Sequence, residues 1–112
     1  MARRFQQRWI YPAGQAEVRQ AVEVALFEAG FLIRPHATDT RVQASQAMST
    51  FSWGEKITLD MGTSPGGGTQ VVAESKLVFG FFDWGRNQAN VETILGYLDK
   101  RVGPGEKAPL DP

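Results

Sequence analysis

With 112 residues, 42% of them hydrophobic and 21% charged, the chain has the size and composition of one globular domain, which excludes wholesale disorder. Twelve basic residues balance twelve acidic ones, so no global charge steers the protein to nucleic acid or to an anionic membrane. The absence of cysteine excludes disulfides, thiolate metal ligands and a cysteine nucleophile, and without an apolar run of membrane-spanning length we expect a cytoplasmic protein.

The first thirty residues predict a strand and then a helix. From Phe5 to Tyr11, a mainly aromatic set of side chains (Phe5, Gln7, Trp9, Tyr11) alternates with a mainly polar set (Gln6, Arg8, Ile10), which favours a half-buried strand that ends at Pro12. Residues 15–29 carry apolar side chains at helical spacing opposite charged ones, and Gly30 is a natural stop for that helix. We interpret residues 31–40 as a connection.

Three further strands are predicted at about residues 41–51, 55–61 and 69–79, where apolar side chains alternate with polar ones. The short links at 52–54 and 62–68 favour antiparallel hairpins. Asp83 can cap a final helix that runs to about residue 102 with a regular apolar stripe. Because the segment 103–112 is rich in proline and glycine, we expect a domain over residues 1–102 and a disordered C-terminal tail over residues 103–112.

These elements predict an α+β fold with the order β-α-β-β-β-α. Each predicted strand has one apolar face, so both helices are expected on the same face of a four-stranded antiparallel sheet. Short connections favour the strand order 1-4-3-2, with the first strand beside the last. The opposite face would present mixed polar residues to solvent or to a partner.

The segment Asp-Trp-Gly-x-Asn-x-x-Asn-Val at residues 83–91, which follows an alternating strand and opens a helix, resembles a pattern in small bacterial α+β domains of uncharacterised function. At the level of element order, the chain also resembles the TATA-box-binding-protein-like (TBP-like) and helix-grip group. This resemblance covers nearly all of residues 1–102 and implies an architecture without an activity.

Polar residues near the start of the last helix are candidates for a ligand site. Asn87 and Asn90 lie three positions apart, on nearly one helix face, and Arg86 precedes them. In the simpler interpretation, the two asparagines bond to backbone groups and the arginine pairs with a surface carboxylate. Alternation also places Gln46 inward, together with Gln7 and Ser75, unless a β-bulge turns Gln46 outward.

Aromatic residues form a second candidate feature. Trp9, Trp53 and Trp84, with several phenylalanines, either line a hydrophobic cavity between the sheet and the last helix or simply form the core. The predicted ligand-binding set therefore combines three tryptophans with four polar residues. Its members are Trp9, Trp53, Trp84, Arg86, Asn87, Asn90 and Gln46.

No catalytic motif, cofactor motif or metal-ligand spacing is present, and His36, the only histidine, is interpreted as a loop residue. The leading hypothesis is a non-enzymatic domain that binds a small apolar ligand or a protein, with the sheet as a surface for a homodimer. An alternative is a small enzyme that uses Asp83, Arg86, Asn87 and Asn90 as a polar site. A second alternative is nucleic-acid binding through the exposed sheet face, which lacks stacking aromatic residues.

Overall fold

One antiparallel sheet and two helices make up the part of the protein that the computed structural model describes, residues 4–46, 54–77 and 85–110. Asp83, Trp53 and Trp84 lie outside these residues. The elements in chain order are β1 (Arg4–Tyr11), α1 (Gln15–Glu28), β2 (Leu32–Ile33), β3 (Arg41–Gln46), β4 (Glu55–Thr63), β5 (Thr69–Leu77), α2 (Arg86–Val102) and β6 (Glu106–Ala108).

Within the described residues the sheet has six strands, in the order β2-β3-β4-β5-β1-β6, so the prediction of four strands was wrong. The two additional strands, β2 and β6, are the edges of the sheet and comprise two and three residues. Such short segments are held by backbone pairing and carry no alternating side-chain pattern that would reveal them. The longer strands lie between them in the order β3-β4-β5-β1, with every neighbouring pair antiparallel.

Strand β6 lies where the sequence predicted a disordered tail. Its residues pair with Arg8, Trp9 and Ile10 of β1. The Gly105 N–H, just before β6, donates to the Asp99 carboxylate of α2 at 3.3 Å. The Gln7 amide donates to the Ala108 carbonyl at 3.3 Å, so the tail supplies a partner for this inward polar side chain.

Both helices cover one face of the sheet, which we call the inner face. Helix α1 packs on β2, β3 and β4, helix α2 packs on β5 and β1, and the helices contact each other. Buried residues of neighbouring strands lie directly opposite one another, as in the pairs Ala44 with Ile57 and Leu59 with Ala73. The largest fully buried side chains are Tyr11, Leu26, Ile57, Leu59, Ile94, Leu95 and Leu98.

Glycine in the left-handed conformation marks the end of α1 and the start of α2. After Glu28, the Gly30 N–H donates to the Phe27 carbonyl and the Phe31 N–H donates to the Leu26 carbonyl, a Schellman motif with φ of 88° at Gly30. Helix α2 begins at Arg86 after Gly85, which has a φ of 79°. Neither helix is long and apolar enough to cross a membrane, within the ranges that the structure describes.

Gly105 is required where the tail crosses β1. A Cβ atom at residue 105 would overlap the Trp9 indole and the Tyr11 ring. We expect Gly105→Ala to lower the free energy of unfolding by about 1–3 kcal/mol, because the ring atoms would have to move. The matched control is Gly96→Ala, in α2, where the added methyl group meets nothing within 4 Å. The control should raise the stability by about 0.5–1 kcal/mol in the same urea titration.

Tyr11 makes the stability sensitive to alkaline pH. Its side chain is fully buried, with its hydroxyl 3.4 Å from the Leu95 carbonyl. Burial, and then the hydrogen bond and negative charge of Asp99, raise the pKa of Tyr11 far above its ordinary value of 10.0. Above that pH the unfolded chain loses this proton while the folded protein retains it, so the stability falls as the pH rises.

We therefore expect the free energy of unfolding of the wild type to fall relative to that of Tyr11→Phe by about 1.4 kcal/mol per pH unit above pH 10. Below the ordinary tyrosine pKa the difference between the two proteins should be constant. Urea unfolding between about pH 8 and pH 11 measures this difference. A constant difference over the whole range would show that Tyr11 ionises equally in both states.

Candidate functional site

Six polar residues meet on the inner face at the end of the sheet where β3 and β5 finish, β4 begins and α2 starts. We call them the polar cluster: Gln46, Glu55, Ser75, Arg86, Asn87 and Asn90.

Strand register brings three members of this cluster together. Gln46 of β3 pairs directly with Glu55 of β4, and Ser75 of β5 lies opposite Ile57 of β4. Alternation from the buried Ile57 places Glu55 and Ser75 on the inner face, below the first turns of α2. The remaining members, at positions 86, 87 and 90, come from those turns.

Glu55 is the centre of the polar cluster and is fully buried. Its Oε1 accepts hydrogen bonds from Arg86 Nε at 2.9 Å and from Asn90 Nδ2 at 3.2 Å. Arg86 Nη2 also donates to Gln46 Oε1 at 3.1 Å. A carboxylate withdrawn from water needs a paired charge and hydrogen-bond donors, and these side chains supply both.

A second branch of the polar cluster runs through Ser75, which is also fully buried. The Ser75 hydroxyl donates to Asn87 Oδ1 at 2.8 Å and accepts from Asn90 Nδ2 at 3.2 Å. The Asn90 amide therefore bridges Glu55 and Ser75, and the hydrogen bonds form a continuous chain of side chains from Gln46 to Asn87. Such a network fixes each member's orientation because each bond constrains the next.

Arg86 connects this network to solvent. One third of its side chain is exposed, whereas Glu55, Ser75 and Asn87 have no exposed surface. Nε and Nη2 are held by Glu55 and Gln46, and no group among the described residues accepts from Nη1. A guanidinium held in this way presents its remaining donors in one orientation.

Four residues of the predicted ligand set lie in the polar cluster: Gln46, Arg86, Asn87 and Asn90. The simpler interpretation expected the asparagines to bond to backbone groups and the arginine to pair with a surface carboxylate. In the structure, Arg86 and Asn90 bond instead to side chains of the polar cluster. Trp53 and Trp84, the other members besides Trp9, lie outside the described residues, so their part in the set stays a prediction.

Trp9 lies elsewhere on the inner face. On β1, the residue opposite Ser75 of the polar cluster is Phe5, and Trp9 lies four residues further along the strand, opposite Val71. About 13 Å of strand therefore separate Trp9 from the polar cluster. Its ring packs against Gly105, with the Lys107 ammonium 5.6 Å from the ring centroid. Trp9 therefore joins the tail to the sheet and is not part of the cluster.

Glu55 is absent from the predicted ligand set. Its position contained a usable signal, because strict alternation from Ile57, Leu59 and Met61 places residue 55 inward. An inward glutamate requires a buried cationic partner. Among the residues that the structure describes, no group of three or more histidine, aspartate or glutamate side chains is arranged to hold a metal ion.

No protein-family model matches the chain, and no curated protein matches its sequence. Among solved structures, the fold is similar to that in the crystal structure of TTHA0849 from Thermus thermophilus, with a TM-score of 0.50 and 17% sequence identity. The similarity covers 88% of this chain and 96% of that chain. It shows a known α+β fold and carries no function. The resemblances to the TBP-like and helix-grip group and to the Asp-Trp-Gly pattern stay predictions.

The polar cluster predicts a strong coupling between Arg86 and Glu55. We expect Arg86→Met to lower the free energy of unfolding by about 3 kcal/mol, because the buried carboxylate loses its cationic partner. Adding Glu55→Gln should restore most of this loss, since the buried charge is then removed as well. Urea unfolding of the two single variants and the double variant measures the coupling.

The control is Arg101→Met, which breaks the exposed ion pair between Arg101 and Glu28. That change should alter the stability by less than about 1 kcal/mol. If Arg86→Met destabilised the protein equally with glutamate or glutamine at residue 55, the two side chains would not be coupled.

Proposed function

We propose that the protein is a non-enzymatic binding domain whose site lies at the polar cluster, with Arg86 as the residue that contacts the ligand. The proposed ligand is a small molecule that carries an uncharged oxygen acceptor, such as a carbonyl or hydroxyl group. The observation that carries the proposal is the arginine itself, which is held by Glu55 and Gln46 and has Nη1 donors without a partner among the described residues.

The charge of the polar cluster favours an uncharged ligand. Glu55 already neutralises Arg86 at 2.9 Å, so an added anion would meet both the guanidinium and the carboxylate. A neutral oxygen can accept from Nη1 without disturbing the ion pair. Because the guanidinium is held before the ligand arrives, little side-chain entropy is lost on binding.

Binding is favoured over catalysis by the burial of the reactive groups. Glu55 could serve as a base and Ser75 as a nucleophile, but neither has exposed surface through which it could contact a substrate. Both are also engaged in hydrogen bonds within the polar cluster. Within the described ranges, Arg86 is the only member of the cluster with a charge and access to solvent.

The test is native mass spectrometry after incubation with a total metabolite and lipid extract, compared with the same sample after denaturation. The wild type should carry a noncovalent adduct of defined mass, which denaturation removes. The double variant Arg86→Met with Glu55→Gln should lose the adduct, because it lacks the donor. Circular dichroism verifies that this variant is folded, which is expected because both charges of the ion pair are removed together.

Arg101→Gln serves as the control, since it removes one arginine from an exposed ion pair away from the polar cluster. It should retain the adduct at the wild-type level. A wild type without any adduct would contradict a binding function. An adduct that persists in the double variant would place the ligand elsewhere on the protein.

A further inference from the structure

Three cations stand in a row on the outer face of the sheet, which is the face away from the helices. Lys76 of β5 lies directly opposite Lys56 of β4 on one side and directly opposite Arg4 of β1 on the other. We call these residues the basic row. Their strand neighbours Glu55 and Ser75 belong to the polar cluster, so the row lies at the same end of the sheet on the opposite face.

Among the described residues, the positive charge of the basic row exceeds the negative charge next to it. Neither Lys56 nor Lys76 forms an ion pair or hydrogen bond within the part of the chain that the structure describes. Arg4 approaches Glu74 at 3.4 Å, a long contact for an ion pair, and more than half of the Arg4 side chain is exposed. Like charges directly opposite each other destabilise a sheet, so this arrangement weakens the free protein.

Elsewhere on the same face a cation has a close partner. Arg41 donates to both oxygens of Asp60, at 2.7 and 3.1 Å, from the opposing position on the neighbouring strand. Arg41 therefore faces an opposite charge across the strands, whereas Lys56 and Lys76 face each other. An anionic ligand would provide the charge that the basic row lacks.

We propose that the basic row binds a free, small anion that carries two or more phosphate groups. Neighbouring strands are about 4.8 Å apart, so the three cations originate over about 10 Å of sheet, and a chain of phosphate groups can contact each of them separately. Lysine and arginine side chains supply charge-assisted donors to phosphate oxygens. This site is separate from the polar cluster and does not depend on the function proposed for it.

The other residues of the outer face favour a small anion over nucleic acid. A protein that binds single strands stacks bases on aromatic side chains. The described residues of β1, β3, β4 and β5 on this face include no aromatic side chain. Those that flank the basic row are neutral or acidic: Gln6, Ser45, Thr58 and Glu74.

The experiment measures the binding of tripolyphosphate by isothermal titration and by thermal shift at low ionic strength. Lys56→Gln and Lys76→Gln should each weaken binding by at least about threefold, because each removes one charged contact. Lys100→Gln, which changes the net charge equally but lies on α2, should leave the affinity within about twofold of the wild type. The double variant Arg86→Met with Glu55→Gln should bind tripolyphosphate like the wild type.

A second readout uses the free protein. Lys76→Gln should raise the melting temperature by roughly 1–4 °C at low salt, since it relieves repulsion from Lys56 and Arg4. This gain should disappear in about 0.5 M sodium chloride, where surface charges are screened. A variant that is more stable but binds tripolyphosphate more weakly is the result expected if Lys76 contributes to ligand binding and not to stability.

Three results would overturn the proposal. In the first, tripolyphosphate stabilises the wild type no more than monophosphate of the same ionic strength. In the second, Lys56→Gln and Lys76→Gln bind tripolyphosphate as tightly as Lys100→Gln does. Tight binding of a single-stranded oligonucleotide without binding of tripolyphosphate would equally exclude a free small anion as the ligand.

Discussion

Successive side chains of a β-strand point to opposite faces of the sheet, and this constraint organises both candidate sites. At the start of β4 it directs Glu55 inward, under α2, and Lys56 outward. At the end of β5 it does the same with Ser75 and Lys76. A slip of one residue in either strand would bury a lysine and expose the polar cluster, so the register of the sheet is strongly specified.

The ion pair between Glu55 and Arg86 further specifies the position of α2 on the sheet. A buried ion pair is weak support for overall stability, because desolvation offsets much of its Coulomb energy. Its geometric effect is larger, since Arg86, Asn90 and Gln46 can all be satisfied only when α2 begins beside the end of β3 and the start of β4. The polar cluster thereby sets where the last helix starts on the sheet.

The edges of the sheet are formed by short strands. Strand β2 is two residues long and is followed within two positions by Pro35, which limits further pairing at that edge. At the other edge, the tail returns from α2 and adds β6 to β1, held by the bond from Gly105 to Asp99. The tail therefore completes the sheet and gives Gln7 a backbone acceptor.

The sequence by itself determined the α+β class, both helices and the four longer strands, because apolar periodicity and glycine stops are local signals. It also identified Gln46, Arg86, Asn87 and Asn90 as polar residues in unusual positions. Only the tertiary structure decided that these four side chains join Glu55 and Ser75 in one network, that Trp9 lies apart from them, and that the tail forms a strand. Those features depend on register and on backbone pairing between residues far apart in the chain, for which local composition carries no signal.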